Sequence, residues 1–145
     1  MSDENTRNQA LGEARRWIGT PYRHQASKLG VGCDCLGLVR GIWRELYGAD
    51  PAEGLAYSKD WSLTQGKENL LVNARVQCIE ITIEDAMPGD LLIFRWTANA
   101  VCRHLAIKAT ETTIIHAFER HAVMENSLVP SWRRRIAAAF KFPPQ

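Results

Sequence analysis

The sequence of 145 residues lacks long apolar runs, a leader-like start and an excess of either charge. No apolar stretch approaches the roughly 18 residues of a membrane-spanning helix, so we expect no membrane insertion. Residues 1–7 are polar and no apolar segment follows them, so we expect no signal peptide and synthesis in the cytoplasm. Eighteen Lys and Arg residues against sixteen Asp and Glu residues give a formal net charge of +2. This charge is too small to predict nucleic acid as the main partner.

Cysteines are few, and internal repeats and low-complexity segments are absent. Without a signal peptide, free thiols are expected rather than a disulfide framework for Cys33, Cys35, Cys78 and Cys102. Hydrophobic residues make up 46% of the chain and charged residues 23%, which is the composition of an ordinary globular protein. The length therefore fits one domain over residues 1–145, with no room for a second domain of ordinary size.

The hydrophobic period changes from helical to strand-like about halfway along the chain. Apolar residues recur at helical spacing over 8–18, 35–47 and 67–75, and a long surface connection is predicted over 49–66. Alternating isoleucines predict a half-buried strand over 79–83, and further strands are predicted at 91–96, 104–109, 112–118, 123–125 and 135–140. Helices first and strands second predict an α+β domain with a mostly antiparallel sheet.

One cysteine lies where a helix is predicted to begin. Asp34 is a favourable N-cap, which makes Cys35 the first residue of the helix. The unpaired N–H groups of a helix N-terminus lower the pKa of a thiol and could also hold the oxyanion of a tetrahedral intermediate. Cys35 is therefore a candidate nucleophile, as a thiolate paired with an imidazolium. Cys33, on the other side of the cap, lacks this advantage, and we expect it to be a small buried side chain.

A base for Cys35 must come from one of four histidines. His104 and His116 lie on successive predicted strands of an antiparallel hairpin, so their side chains could face each other. The His104 imidazole would then point toward the thiol, and His116, on its far side, would orient that imidazole. Together the three residues give a nucleophile, a base and an orienting group. His24 lies on the loop before Cys35 and its role stays open, whereas His121 lies in a turn and is expected to face water.

The segment around the candidate nucleophile is similar to a motif of a known family. Residues 32–39 read Gly-Cys-Asp-Cys-Leu-Gly-Leu-Val, which resembles the Asp-Cys-Ser-Gly-Leu-Val nucleophile motif of the NlpC-like, papain-like cell-wall peptidases. Residues 21–25 and 33–43 resemble more closely still the phage-tail and gene-transfer-agent branch of that family. Further matches follow in the family's order at Pro21-Tyr22, Pro88-Gly89-Asp90-Leu91, His104 and His116.

The resemblance implies a papain-like α+β fold in which the nucleophile, at a helix N-terminus, packs on a mostly antiparallel sheet. It implies that Cys35 is the nucleophile, His104 the general base and His116 the group that orients the base. Candidates for the oxyanion site and the pocket are Tyr22, Asp34, Arg23 and His24. Family members hydrolyse amide bonds in peptidoglycan stem peptides, commonly the bond from D-Glu to diaminopimelate. No cofactor and no metal are needed for this chemistry.

The chain departs from the family's pattern at several points. Leu36 stands where Ser is usual, which puts recognition of a substrate amine in doubt, and the loop 23–31 lacks the common Trp-Gly-Gly. We expect a single catalytic domain without an accessory wall-binding domain. We therefore expect a partner to bring the protein to the cell wall and its stem-peptide substrate. Tail or baseplate proteins of a phage-like particle are the expected partners.

Other interpretations fit part of the pattern. Cys33, Cys35, Cys102 and His104 could supply four ligands to zinc, although one intervening residue in each pair is a poor spacing for a structural site. A disulfide between Cys33 and Cys35 is difficult to close for a similar reason. The same nucleophile and base would serve a papain-like amidase or acyltransferase on another substrate. A structural tail protein could also keep the fold without the chemistry.

The run Arg133-Arg134-Arg135 has two explanations. Charge runs usually serve solubility, so the favoured one is a solvated strand edge that discourages pairing. The alternative is a dock for an acidic partner surface or the anionic wall. Trp17 and Trp43 stand at helical core positions and are expected to pack there. The sequence pattern does not indicate where the side chains of Trp61 and Trp96 pack.

Overall fold

The structure, a computed structural model, describes residues 2–51 and 69–145 of the chain. The helices in these residues are α1 (Asp3–Trp17), α2 (Cys35–Tyr47), α3 (Asn69–Gln77) and α4 (Pro130–Arg133). The strands are β1 (Ser27–Lys28), β2 (Gly32–Cys33), β3 (Ile79–Ile81), β4 (Leu91–Phe94), β5 (His104–Lys108), β6 (Thr113–Ala117), β7 (Val123–Ser127) and β8 (Ile136–Lys141). Most of the connection predicted over 49–66, with Trp61, and the start of the helix predicted over 67–75 lie outside the described residues.

Six strands form one antiparallel sheet in the order β3-β8-β4-β5-β6-β7, while β1 and β2 form a small hairpin. Two long helices precede this sheet along the chain, which confirms the predicted α+β class. Pairing of Ile107 with Ile115 sets the register between β5 and β6. Because side chains alternate along a strand, this register places His104 and His116 on the same face of the sheet.

The strand predicted over 79–83 is shorter and more exposed than its isoleucines suggest. β3 ends at Ile81, and a 3₁₀ turn follows at Ile83–Asp85. Ile79 is 41% exposed and Ile83 is 37% exposed, because β3 lies at the edge of the sheet and pairs with β8 on one side only. The alternating pattern located the strand, but the prediction that it is half-buried is wrong for these two isoleucines.

Helix α1 begins five residues before the start that the sequence predicts. Its N-cap is Ser2, whose hydroxyl accepts a hydrogen bond from the Asn5 N–H at 3.2 Å. Asp3 and Glu4 in the first turn interact favourably with the helix dipole. Hydrophobic periodicity could not find this turn because its residues are polar.

Helix α2 begins and ends as the sequence predicts, with Asp34 as its N-cap and Gly48 after its last residue. Gly48 has a φ of 79°, a left-handed conformation that favours glycine. Leu38 and Ile42 of the helix are completely buried and each contributes roughly 1.5–3 kcal/mol relative to an exposed side chain. The helix packs on β5 and β6, which fixes the start of α2 relative to the strand that begins at His104.

The large sheet is covered on both faces. One face packs against α1 and α2. In this layer Leu38 and Ile42 of α2 are buried together with the strand residues Ile93, Leu105, Ile107, Ile115 and Phe140. The other face carries a second cluster, Ala86, Leu92, Phe94, Ala106, Ile114, Leu128 and Ala139, against which Trp132 of α4 packs. His104 and His116 belong to this second face because they alternate with the residues of the first. Within the described residues, no helix is long and apolar enough to cross a bilayer.

Candidate active site

A pocket lies where the N-terminus of α2 meets the beginning of β5. Nine residues line it: Tyr22, His24, Cys35, Trp96, Arg103, His104, Ala117, Phe118 and Glu119. Four of the seven predicted site residues are among them, namely Tyr22, His24, Cys35 and His104. Of the remaining three, Arg23, Asp34 and His116, none lines the pocket.

The chain segment that precedes α2 is fastened to that helix by hydrogen bonds. The Ser27 hydroxyl in β1 donates to the carbonyl of Gly37 at 2.6 Å. Arg44 donates to the carbonyl and the hydroxyl of Ser27, both at 2.8 Å. A side chain at Gly37 would overlap the carbonyl oxygen of Ala26, so the close approach of the loop requires glycine at this position. The loop that contains Ala26 and Ser27 is therefore held firmly against the N-terminal part of α2.

Cys35 is the first residue of α2 and only 5% exposed. Burial, with a further contribution from the Asp34 carboxylate, raises the pKa of the Cys35 thiol to about 12. The backbone N–H groups of Leu105, Leu36 and Cys35 itself donate toward the sulfur and lower this pKa by less. The helix start does favour the thiolate, as the sequence predicts, but burial outweighs it. The thiol is therefore protonated at neutral pH in this structure.

Asp34 lies behind the pocket wall rather than in the pocket, which corrects the sequence prediction. It is completely buried, and one carboxylate oxygen accepts the Gly37 N–H at 2.7 Å while the other accepts the Gln25 N–H at 2.7 Å. Burial raises the pKa of Asp34, and these hydrogen bonds oppose the shift. Its two oxygens are thus engaged in capping α2 and holding the loop.

Of the two further pocket candidates, the structure places one in the pocket. His24 lines it with a half-exposed side chain, and its Nδ1 lies 3.9 Å from an oxygen of Asp34. Arg23 does not line it. The Arg23 side chain packs instead against Gly32 of the hairpin, where a Cβ would overlap it.

Tyr22 lines the pocket beside Cys35. Its N–H donates to the carbonyl of His121 at 3.0 Å, which ties the segment before the loop to the turn that precedes β7. Burial, followed by the charge of a Cys35 thiolate, raises the pKa of Tyr22 to about 12. The phenol therefore keeps its proton at neutral pH and can donate a hydrogen bond into the pocket.

His104 stands at the head of a chain of hydrogen bonds that runs away from the pocket. His104 Nε2 and His116 Nδ1 are 2.8 Å apart, and His116 Nε2 lies 2.8 Å from Oδ1 of Asn126. The amide oxygen of Asn126 only accepts, so His116 carries its proton on Nε2 and accepts on Nδ1. His104 consequently carries its proton on Nε2, and its Nδ1 keeps a free lone pair. The predicted contact between His104 and His116 is confirmed.

Asn126 is a site residue that the sequence analysis missed. The strand predicted over 123–125 ends at Glu125, whereas β7 continues to Ser127. In the observed register Met124 pairs with His116, and Asn126, two residues farther on, lies on the same face. Extending that strand by the two polar residues Asn126 and Ser127 would have revealed it.

Both imidazoles are buried, with His104 at 5% and His116 at 3% exposure. Burial lowers the pKa of His104 to about 3, and the neighbouring His116 lowers it further in the same direction. Burial also lowers the pKa of His116, while the hydrogen bond to Asn126 opposes this. Thiol and imidazole are therefore both neutral at rest, instead of the thiolate–imidazolium pair expected from the sequence.

Aromatic rings enclose the imidazole of His104. The Trp96 ring stacks on it with centroids 5.5 Å apart and planes at 27°. The rings of Phe94, Phe118 and Trp132 approach it with centroids at 5.9, 5.9 and 5.8 Å. This packing holds the ring in one orientation. The sequence pattern gave no place for Trp96.

Cys33 is completely buried in β2, as predicted, and burial raises the pKa of its thiol to about 12. All four cysteines are free thiols in the structure. Among the described residues, no group of three or more His, Cys, Asp and Glu side chains could hold a metal ion.

Several solved structures have this fold. A protein of the NLP/P60 family from Staphylococcus aureus is 21% identical, with a TM-score of 0.66 over 100% of this chain and 43% of its own. The NlpC/p60 domain of the peptidoglycan hydrolase SagA is 24% identical, with a TM-score of 0.65 over 95% of this chain and 98% of its own. RipD from Mycobacterium tuberculosis, a non-catalytic NlpC/p60 domain protein, is 10% identical, with a TM-score of 0.57 over 94% of this chain and 95% of its own.

The structural likeness shows the fold, and this chain spans less than half of the staphylococcal protein. No functionally curated protein matches the sequence. The model of the NlpC/P60 family, by contrast, matches residues 19–140. That range includes Tyr22, Cys35, His104, His116 and Asn126. The chain therefore belongs to the NlpC/P60 family.

Proposed function

We propose that the protein is a cysteine peptidase that hydrolyses amide bonds in peptidoglycan stem peptides, with the bond from D-Glu to diaminopimelate as the expected target. The observation that carries the proposal is the hydrogen-bond chain from Asn126 through His116 to His104, a residue that lines the same pocket as Cys35. Membership of the family supports the substrate class.

In the proposed reaction, His104 Nδ1 accepts the proton of the Cys35 thiol as the sulfur attacks the amide carbonyl. Because both groups begin neutral, proton transfer accompanies attack rather than preceding it. The backbone N–H of Cys35 and the protonated phenol of Tyr22 stabilise the oxyanion of the tetrahedral intermediate.

The intermediate then loses its amine. The imidazolium of His104 gives its proton to the leaving nitrogen, the C–N bond breaks, and an acyl thioester remains on Cys35. A water molecule that His104 deprotonates attacks this thioester and releases the carboxylic acid, while the thiol regains its proton. His116 and Asn126 hold the base in the tautomer that these steps need.

The charges around the pocket suit a peptide that has both amines and carboxylates. Arg103 and Glu119 are the residues of opposite charge among the lining side chains. Leu36, which replaces the usual serine, instead lines an apolar pocket against α3, and Asp34 is buried. We therefore assign recognition of a substrate amine to Glu119.

The proposal is tested by incubating diaminopimelate-type peptidoglycan with the protein and with Cys35→Ala, followed by mass spectrometry of the released fragments. New stem-peptide fragments with the wild type alone are expected, and their masses identify the bond. Products transferred to an added amine or alcohol would instead identify an acyltransferase. Equal fragments from both proteins, or none from either, would overturn the proposal.

We further propose that the protein acts at the cell wall as a component of a tail-like particle, with tail or baseplate proteins as partners. The support is the resemblance of residues 21–25 and 33–43 to phage-tail and gene-transfer-agent peptidases. Particles purified from producing cells should contain the protein in fixed ratio to the tail proteins. Its recovery only in particle-free fractions would contradict this assignment.

A further inference from the structure

The arginine run at 133–135 does not protect a strand edge. It occupies the end of α4 and the turn before β8, and β8 pairs with β3 on one side and β4 on the other. A strand with two neighbours has no free edge to shield, so the explanation that the sequence favoured is wrong. The clustering of these three arginines must therefore have another explanation.

Two arginines of the run line a groove together with a third arginine. Arg134 and Arg135 line this groove together with Arg95, which follows the last residue of β4 and whose N–H donates to the carbonyl of Arg135 at 3.0 Å. The hydroxyl-bearing residues Thr97 and Ser131 also line it, and among the residues that the structure describes no acidic side chain lines it. Arg134 and Arg135 make no ion pair with any residue in the described ranges. Arg134 and Arg135 are thus two positive charges without a counterion in this part of the chain, and such a pair favours an anionic ligand.

The groove adjoins the catalytic pocket, and Trp96 is the wall that the two share. The guanidinium carbon of Arg135 lies 5.7 Å from the centroid of the Trp96 ring, and the same ring stacks on His104. A peptide with its scissile bond at Cys35 that extends past Trp96 therefore enters the groove.

We propose that this arginine groove binds a carboxylate of the peptide substrate, at a position beyond the bond that is cut. The planar guanidinium group of Arg134 offers paired donors that match a carboxylate. Stem peptides carry several free carboxylates, so charge complementarity identifies the occupant. The inference rests on the proposed function, because it assumes that the pocket beside the groove receives a stem peptide.

Binding to the inactive Cys35→Ala protein tests the inference without turnover. The probes are a synthetic stem tetrapeptide and forms of it in which one carboxylate at a time is a carboxamide, titrated by calorimetry. One carboxamide form should bind about tenfold more weakly than the free acid. Adding Arg134→Gln should weaken binding of the free acid about tenfold and abolish the difference between the two forms.

Arg133→Gln is the matched control, because the Arg133 guanidinium donates to the carbonyl of Glu111 at 3.0 Å and does not line the groove. Arg133→Gln should leave the difference in affinity between the free acid and its carboxamide form unchanged. Unchanged discrimination in Arg134→Gln would overturn the inference, as would equal weakening of every peptide form, which indicates general attraction to anions. Failure of every peptide to bind the Cys35→Ala protein would reject the substrate of the proposed function, and the groove assignment with it.

Discussion

Cys33 and Cys35 lie on either side of Asp34, and burial raises the pKa of both thiols to about 12. Their surroundings nevertheless differ. Cys33 ends a strand, and its backbone groups pair with Pro21 and Arg23. Cys35 begins a helix, receives backbone N–H groups and lines a pocket with His104. In the proposed reaction, access to a base and to oxyanion donors therefore distinguishes Cys35 from Cys33, since the pKa values do not separate the two thiols.

The largest expected effect separates these two cysteines directly. Cys35→Ala should reduce kcat/KM by on the order of 10⁴-fold or more, because no other group can form the acyl intermediate. Cys33→Ala should keep activity within about twofold, since its sulfur only fills core volume. Fragment release from peptidoglycan by each variant measures both. Comparable losses of kcat/KM in the two variants would contradict the proposal that Cys35, and not Cys33, is the nucleophile.

Smaller losses of kcat are expected when the base, or the residue that orients it, is replaced. His104→Ala should lower kcat by about 10³-fold, because general-base catalysis is lost. His116→Ala should lower it by roughly ten- to a hundredfold, since the base remains but its tautomer and orientation are no longer fixed. The exposed His121 gives a matched control, and His121→Ala should retain activity. An inactive His121→Ala or a fully active His104→Ala would contradict the chain of roles.

Asn126 should matter less, and in a way that depends on pH. Asn126→Ala removes one hydrogen bond and should lower kcat by about tenfold. Asn126→Asp keeps an acceptor, and its negative charge favours the imidazolium, so the pKa values of His116 and His104 rise. The acid limb of the pH–rate profile should therefore move to higher pH in Asn126→Asp. If Asn126→Ala lowers kcat tenfold but the acid limb of Asn126→Asp does not shift, Asn126 contributes through packing alone.

The last expected effect is on stability in acid and not on activity. Burial lowers the pKa of His104 to about 3 in the folded protein, against about 6.5 when unfolded. The unfolded state therefore binds a proton first, so stability is full above about pH 6.5 and falls toward pH 3, by up to about 1.4 kcal/mol per pH unit. Urea unfolding at pH 7 and pH 5 should show a steeper loss for wild type than for His104→Gln. Equal losses would contradict the buried neutral imidazole.

Local signals in the sequence were sufficient for the nucleophile helix. Asp34 and Gly48 mark its two ends, and both are identifiable from residue type alone because caps act within one turn. The facing of His104 and His116 was also predictable, since it needs only two strands and their alternation.

Features that depend on tertiary packing were not predictable in this way. Burial of Asp34 and the neutral state of Cys35 result from the layers around them, which a spacing argument does not contain. Asn126 required the correct end of β7, and the two paired edges of β8 required the strand order. The stack of Trp96 on His104 joins residues eight positions apart through the β4–β5 connection, whose path no motif specifies.

The most direct measurement of the central claim is peptide mapping by mass spectrometry after reaction with a stem-peptide analogue that carries an electrophilic carbon at the scissile position. The account predicts a single adduct on Cys35, absent from Cys35→Ala and formed far more slowly by His104→Ala. An adduct on Cys33, or equal labelling with and without His104, would contradict the assignment of nucleophile and base.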